Sequence, residues 1–114
     1  MITSMKLNPG PFEDIKSGSK TIEVRLYDEK RRMLNLGDII EFSKLPDLDE
    51  KISVQVVGLL RYSSFRDLVN DFLLGCFSSR HKTKDDLLKA IYEIYSKDEE
   101  KRYGVLGIRI TGIS

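Results

Sequence analysis

Two periods of apolar residues run along the chain, and the switches between them mark out its elements. Lys20 to Leu26 alternates, with Ile22, Val24 and Leu26 on one face and Thr21, Glu23 and Arg25 on the other, the period of two of a half-buried strand. Ile2 to Leu7 reads as an earlier strand, after which Pro9-Gly10-Pro11 turns the chain into a short helix, Phe12 to Lys16, capped by Gly18. Asp28 to Leu34 is charged and lacks a strand period, so it reads as a loop or one helical turn. Gly37-Asp38 then turns into an apolar strand, Ile39 to Phe42. Pro46 to Glu50 is the next turn. The β-branched run from Ile52 to Tyr62 is a long strand in which Gly58 marks a bulge or a bend.

The period then becomes helical. Ser64 with Asp67 three residues on is a variant capping box, and Phe65, Leu68, Val69, Phe72 and Leu73 follow on one helical face, with Gly75 as the stop. Thr83 with Asp85 and Asp86 opens a second helix whose Leu87, Leu88, Ile91, Tyr92, Ile94 and Tyr95 repeat at helical spacing. Ser96 with Glu99 is a capping box that starts a short helix to Tyr103, and Gly104 to Ile110 supplies the last strand. The order β-α-β-β-β-α-α-β does not alternate as a doubly wound fold would. It predicts an α+β fold: a small sheet of mixed, mostly antiparallel strands, curled into a barrel with helices packed to one side.

Composition narrows the setting. The 114 residues show no linker, repeat or low-complexity tract and read as a single domain over 1–114. Lys+Arg 19 against Asp+Glu 18 leaves a net charge of +1, so attraction to nucleic acid must come from clustered charge rather than from its total. The single Cys76 cannot form an internal disulfide, and the first residues lack the basic segment and apolar run of a secretory signal, which together fit a reducing cytoplasm. Apolar stretches fall well short of the ~20 residues a membrane helix needs, so no membrane partner is expected. One His and one Cys cannot assemble a zinc site, and phosphate-binding P-loop and dinucleotide fingerprints are absent, so no metal or cofactor is expected. Cys76 follows an apolar helix and reads as a packing residue, and His81, flanked by Arg80 and Lys82, as surface.

The polar face of the alternating strand is the first candidate site. Lys20 and Arg25 can hold a phosphate or a carbonyl oxygen, Arg25 as a planar two-pronged donor and Lys20 as a point charge, while Glu23 can accept a proton or a base amino group. The plain alternative is that Glu23 and Arg25 form an exposed ion pair worth ~0–1 kcal/mol beside a solvated Lys20. Lys30-Arg31-Arg32, preceded by Tyr27, is the tightest basic run and would suit a phosphate backbone, or is a solvated loop beside Asp28 and Glu29. Arg61 and Tyr62, at the end of the long strand, are further nucleic-acid candidates, as are Arg80-His81-Lys82, with Tyr62 and Phe77 able to stack on bases.

Gly18-Ser19-Lys20-Thr21-Ile22-Glu23-Val24-Arg25, Gly37-Asp38-Ile39-Ile40-Glu41-Phe42 and Tyr103-Gly104-Val105-Leu106-Gly107-Ile108, in that order, resemble the ASCH domain of the PUA-like superfamily. The G-x-K-x-x-E-x-R stretch coupled to a following G-D is the most specific part. The resemblance implies a PUA-like β-barrel with a cleft beside it, and RNA, a nucleotide or a nucleoside as ligand. Some similar proteins are amidohydrolases of N-acetylated cytidine that use a lysine, a threonine and a distant glutamate. Lys20 corresponds to the lysine, whereas Glu23 occupies the threonine's place and Ser79-Arg80-His81-Lys82 the glutamate's region. Other members resemble RNA-cleaving enzymes, where Lys20 and Arg25 would stabilise phosphate charge and Glu23 would act as base. The expectation is therefore an RNA- or nucleotide-binding module using Lys20, Glu23 and Arg25, with metal-independent hydrolysis of RNA or of a modified nucleoside as the alternative.

Overall fold

The computed structural model describes residues 2–113. Its strands are β1 (Ile2–Leu7), β2 (Ile22–Leu26), β3 (Ile39–Lys44), β4 (Lys51–Tyr62) and β5 (Val105–Gly112). Its helices are α1 (Pro9–Ser17), α2 (Glu29–Arg32), α3 (Phe65–Asn70), α4 (Lys84–Ile94) and α5 (Lys97–Tyr103). The five strands form one sheet of order β1-β3-β4-β5-β2, in which β1 and β3 run parallel and every other pair antiparallel. The sheet curls into a half-barrel with the helices alongside. The register of β4 against β5 shifts between Val56 and Gly58, so Gly58 does mark a bulge. Such an extra residue tightens the twist and helps a long strand curl.

Capping fixes the helix starts where the sequence places them. Ser64 accepts from the Asp67 N–H, Thr83 from the Asp86 N–H, and Ser96 with Glu99 makes a reciprocal capping box. Helix α1 starts three residues earlier than its apolar pattern, at Pro9, because proline tolerates the first helical turn, where no N–H partner is required. Helix α3 is shorter than predicted. It ends at Asn70 and gives way to a single 3-10 turn, Leu74–Cys76, so Leu73 is 81% exposed and Phe72 only partly buried. Ile94, at the end of α4, is likewise 66% exposed rather than part of the apolar stripe.

Two clusters of buried side chains share the sheet. The first joins β1, α1, β3, β4 and the alternate residues Leu106, Ile108 and Ile110 of β5. The second joins β2, α3 and α4 around Ile22, Phe65, Leu68 and Val105. On β5 the two sets interleave with period two, so the clusters lie on opposite faces of that strand. Gly107 falls between them on the helical face, where a Cβ would sit 2.9 Å from a Leu68 methyl and 3.4 Å from Ile22. Gly107→Ala is expected to destabilise the fold by roughly 1–3 kcal/mol through overpacking. Equal urea midpoints for the variant and the wild type would show that Leu68 moves aside freely.

Candidate functional site

Cross-strand register settles what the polar face of β2 looks at. Glu23 pairs with Ile108 and Arg25 with Leu106, and partners in an antiparallel ladder point to the same face, so both charged residues face the inside of the half-barrel. Ile22, Val24 and Leu26 pair with Arg109, Gly107 and Val105 and lie against the helical cluster. Glu23 is 4% exposed, which overturns the reading of an exposed ion pair. Lys20 precedes the strand: Gly18 adopts φ +85 to end α1, and the Lys20 N–H then donates to the Asp14 carbonyl. An L side chain at position 18 would oppose that left-handed turn.

The three side chains form one buried network. Lys20 Nζ lies 2.8 Å from Glu23 Oε1, and Arg25 places both Nε and Nη2 2.8 Å from Glu23 Oε2. Burial on its own raises the Glu23 pKa, but the adjacent charges of Lys20 and Arg25 and their hydrogen bonds outweigh it, and the group is lowered from 4.5 to about 2. Burial works against the Arg25 cation, yet Glu23 more than compensates and its pKa is raised. Arg25 Nη2 also donates to the Lys6 carbonyl at 3.0 Å, and Lys30 Nζ donates to the Ser4 carbonyl at 2.6 Å. Lys6 and Ser4 lie on β1, the opposite edge of the sheet from β2. Side chains thus occupy carbonyls of an edge that no strand covers among the described residues, across the seam where the barrel stays open.

A cleft of about 270 Å³ follows that seam. Lys20 and, from β2, Glu23, Val24 and Arg25 line it, together with Lys6 and Leu7 of β1, Asn8, Asp14 of α1, and Leu87, Ala90, Ile91, Ile94 and Tyr95 from α4 and its end. The segment Phe77 to His81 closes one end through Phe77, Ser78, Arg80 and His81. A polar floor therefore faces an apolar wall. Burial raises the pKa of the Tyr95 phenol, with Arg25 pulling it the other way. The volume lies just below the roughly 300 Å³ at which small-molecule sites begin.

The remaining candidates gather elsewhere. Arg32 and Arg61 hold their guanidinium carbons 5.0 and 4.2 Å from the centre of the Tyr27 ring. Arg31 pairs with Asp28 at 3.1 Å, the residue that caps α2. None of Lys30, Arg31, Arg32 and Arg61 lines the cleft: Arg32 and Arg61 lie over the Tyr27 ring, Lys30 reaches the Ser4 carbonyl and Arg31 is paired with Asp28. Tyr62 donates its hydroxyl to Asp71 at 2.6 Å and packs against the helical cluster. Cys76 also packs against that cluster. Sequence reasoning left Asp14, Ser78 and Tyr95 out of the site. No local signal marks Asp14 or Ser78, since Asp14 Oδ1 accepts from Ser79 Oγ across a separation of 65 residues. Among the described residues no three His, Cys, Asp or Glu side chains converge on a metal position, and no helix is long and apolar enough to cross a membrane.

The ASCH domain family model matches residues 5–114. The chain belongs to the ASCH domain family. ASCH domains are generally thought to be RNA-binding modules of PUA-like fold. A crystal structure of the hypothetical protein PH0355 is 36% identical, with a TM-score of 0.89 over 99% of this chain and 100% of that one. A solution structure of protein PF0455 from Pyrococcus furiosus is 32% identical, with a TM-score of 0.81 over 100% of this chain and 99% of that one. No curated protein matches the chain.

Proposed function

We propose that this ASCH domain binds RNA or a nucleotide in the seam cleft, with Lys20, Glu23 and Arg25 as its polar floor. The observation that carries the reading is a three-membered charge network, buried yet lining a cleft whose other wall is apolar. A heterocycle placed there meets aliphatic and aromatic surface on one side and fixed donors on the other, the usual division in small-ligand sites. Glu23 serves as the bracket. With both carboxylate oxygens engaged and a pKa of about 2, it is a poor proton acceptor at neutral pH, which weighs for binding over the hydrolytic alternative. Arg32 and Arg61, on the Tyr27 ring, with Lys30 and Arg31 from the same basic run, offer a path for a phosphate backbone that runs on from the cleft.

Arg25→Lys tests the floor. One ammonium cannot bridge Glu23, the Lys6 carbonyl and a ligand as the planar guanidinium does, so affinity for short RNAs and nucleotides should fall about tenfold although the charge is retained. Calorimetric titration at fixed salt measures the loss, and chromatography of the mixtures detects any cleavage. Unchanged affinity in Arg25→Lys would remove the floor from the site.

A further inference from the structure

The floor of the cleft has hydrogen-bonding capacity left over, and it is of one kind. A guanidinium carries five N–H donors and an ammonium three. Arg25 commits Nε to Glu23 Oε2 and Nη2 to that same oxygen and to the Lys6 carbonyl, while Lys20 commits one N–H to Glu23 Oε1. The N–H groups of Arg25 Nη1 and the rest of the Lys20 ammonium have no acceptor among the described residues. Nor is Nη1 sealed in, because the buried side-chain nitrogen left without a partner among those residues is Arg31 Nε alone. Arg25 Nη1 therefore opens on the cleft that Arg25 lines.

Acceptors are scarce on the same surface. Glu23 Oε2 takes two donors from Arg25 and Oε1 takes Lys20, and the Glu23 side chain is 5% exposed against 9% for Lys20 and 13% for Arg25. The cations cover their own counter-ion. Asp14, the other carboxylate of the cleft, accepts from Ser79 Oγ at 2.8 Å and lies 3.6 Å from Arg80 Nε, so it too is engaged. What a ligand meets at the floor is N–H.

We infer that the floor receives an exocyclic oxo group of a heterocyclic base, so that the cleft selects oxo bases and disfavours adenine, which carries an amino group and no oxo group. The inference rests on the nucleotide-binding reading above and names the class of base. An oxo oxygen has two lone pairs, enough to accept from Lys20 and Arg25 together. An amino group would set N–H against N–H and leave the donors of the floor unanswered. A phosphate could also accept from them, but the facing wall is Leu87, Ala90, Ile91 and Ile94, and the network of Lys20, Arg25 and Glu23 carries a net charge of only +1. A phosphate wedged there gives up more hydration than one positive charge replaces, whereas a flat base lays its apolar face on that wall.

NMR titration of the wild type with inosine and adenosine at one ionic strength tests the floor, because the two differ in bearing an oxo or an amino group on the same ring carbon. Inosine should bind about tenfold more tightly. Lys20→Met separates this preference from a general loosening of the site: it removes spare donors and frees Glu23 Oε1 as an acceptor, so inosine should lose affinity while adenosine holds or gains. The ratio should then fall to about twofold or less. Equal affinity of the wild type for the two nucleosides, or a ratio that survives in Lys20→Met, overturns the inference and leaves nucleotide binding in place. Inorganic phosphate is the competitor that checks the remaining alternative, and it should fail to displace inosine; displacement would make the floor a phosphate site and overturn the inference as well. Should Lys20→Met not fold, the wild-type ratio and the phosphate competition still decide. Silence from every nucleoside and from short RNAs would remove the inference and the nucleotide-binding reading together.

Discussion

Glu23→Gln is expected to cost about 3–5 kcal/mol of folding stability, the usual penalty for removing one partner of a buried charge network. The side chains of Lys20 and Arg25 are only 9% and 13% exposed, so without the carboxylate two cations face each other across a site poor in water. A glutamine amide keeps the shape but presents one acceptor where the carboxylate presents two charged oxygens. The pH dependence has the same origin. Glu23 has its pKa lowered from 4.5 to about 2 by folding, so its stabilisation is complete above about pH 4.5 and fades as pH falls toward 2. Urea denaturation of wild type and variant at pH 7 and pH 3 measures both effects, and the gap between them should narrow at the lower pH. A loss below about 1 kcal/mol at pH 7 would falsify the network's structural role. A companion triple variant separates stability from function: with Lys20→Met, Glu23→Leu and Arg25→Met made together, no charge is left stranded, so much of the stability should return. Ligand binding should not. Such an outcome would show that the buried charges are kept for the ligand rather than for the fold.

Strand β2 shows how far sequence reaches and where it stops. Its alternation is local, so the face carrying Ile22, Val24 and Leu26 and the face carrying Glu23 and Arg25 were both legible from a period of two. A polar face turned toward water and one turned into a half-barrel have the same period. What distinguishes them is the pairing of Glu23 with Ile108 and the reach of Arg25 to the Lys6 carbonyl, contacts that are distant in the chain. Asp14, which lines the same cleft, was illegible for the same reason, whereas Arg80 was legible only as a member of the basic run Arg80-His81-Lys82. The caps at Ser64, Thr83 and Ser96 needed only three-residue patterns and were found where expected. Helix α3 failed in the opposite way, since Phe72 and Leu73 keep helical spacing past the point where the helix ends. Asn70 and Asp71 are residues that favour helix ends over helix interiors, and the Asp71 carboxylate is engaged there by the Tyr62 hydroxyl. The ASCH resemblance supplied what periodicity could not, that the ordered set of Lys20, Glu23, Arg25 and Gly37-Asp38 belongs to a cleft-bearing fold.

Phe65→Ala should remove about 3–5 kcal/mol of stability, as expected for a large aromatic side chain with no exposed surface. The ring stacks on Tyr95 at 5.5 Å and meets Tyr92 edge-on at 5.7 Å, contacts that add to simple burial. Its backbone N–H donates to Glu100 Oε2 at 2.7 Å, and the Tyr92 hydroxyl donates to the same oxygen, also at 2.7 Å. Alanine at position 65 would keep the backbone bond, so the loss should come from the cavity and from the freed rings. Phe72 is the control, being only partly buried at the rim of the same cluster, and Phe72→Ala should cost less than about 2 kcal/mol. The two substitutions should also differ at the cleft. Tyr95 is part of its wall and Phe65 stacks on the Tyr95 ring, whereas Phe72, itself only partly buried, meets another lining residue, Phe77, edge-on at 6.2 Å. At temperatures where both variants remain folded, Phe65→Ala should therefore weaken nucleotide binding several-fold while Phe72→Ala leaves it closer to wild type. Denaturation midpoints and calorimetric titration of the pair decide the matter. Equal losses of stability would mean that the rim is packed as tightly as the centre, and undiminished binding in Phe65→Ala would mean that Tyr95 needs no brace to form the wall.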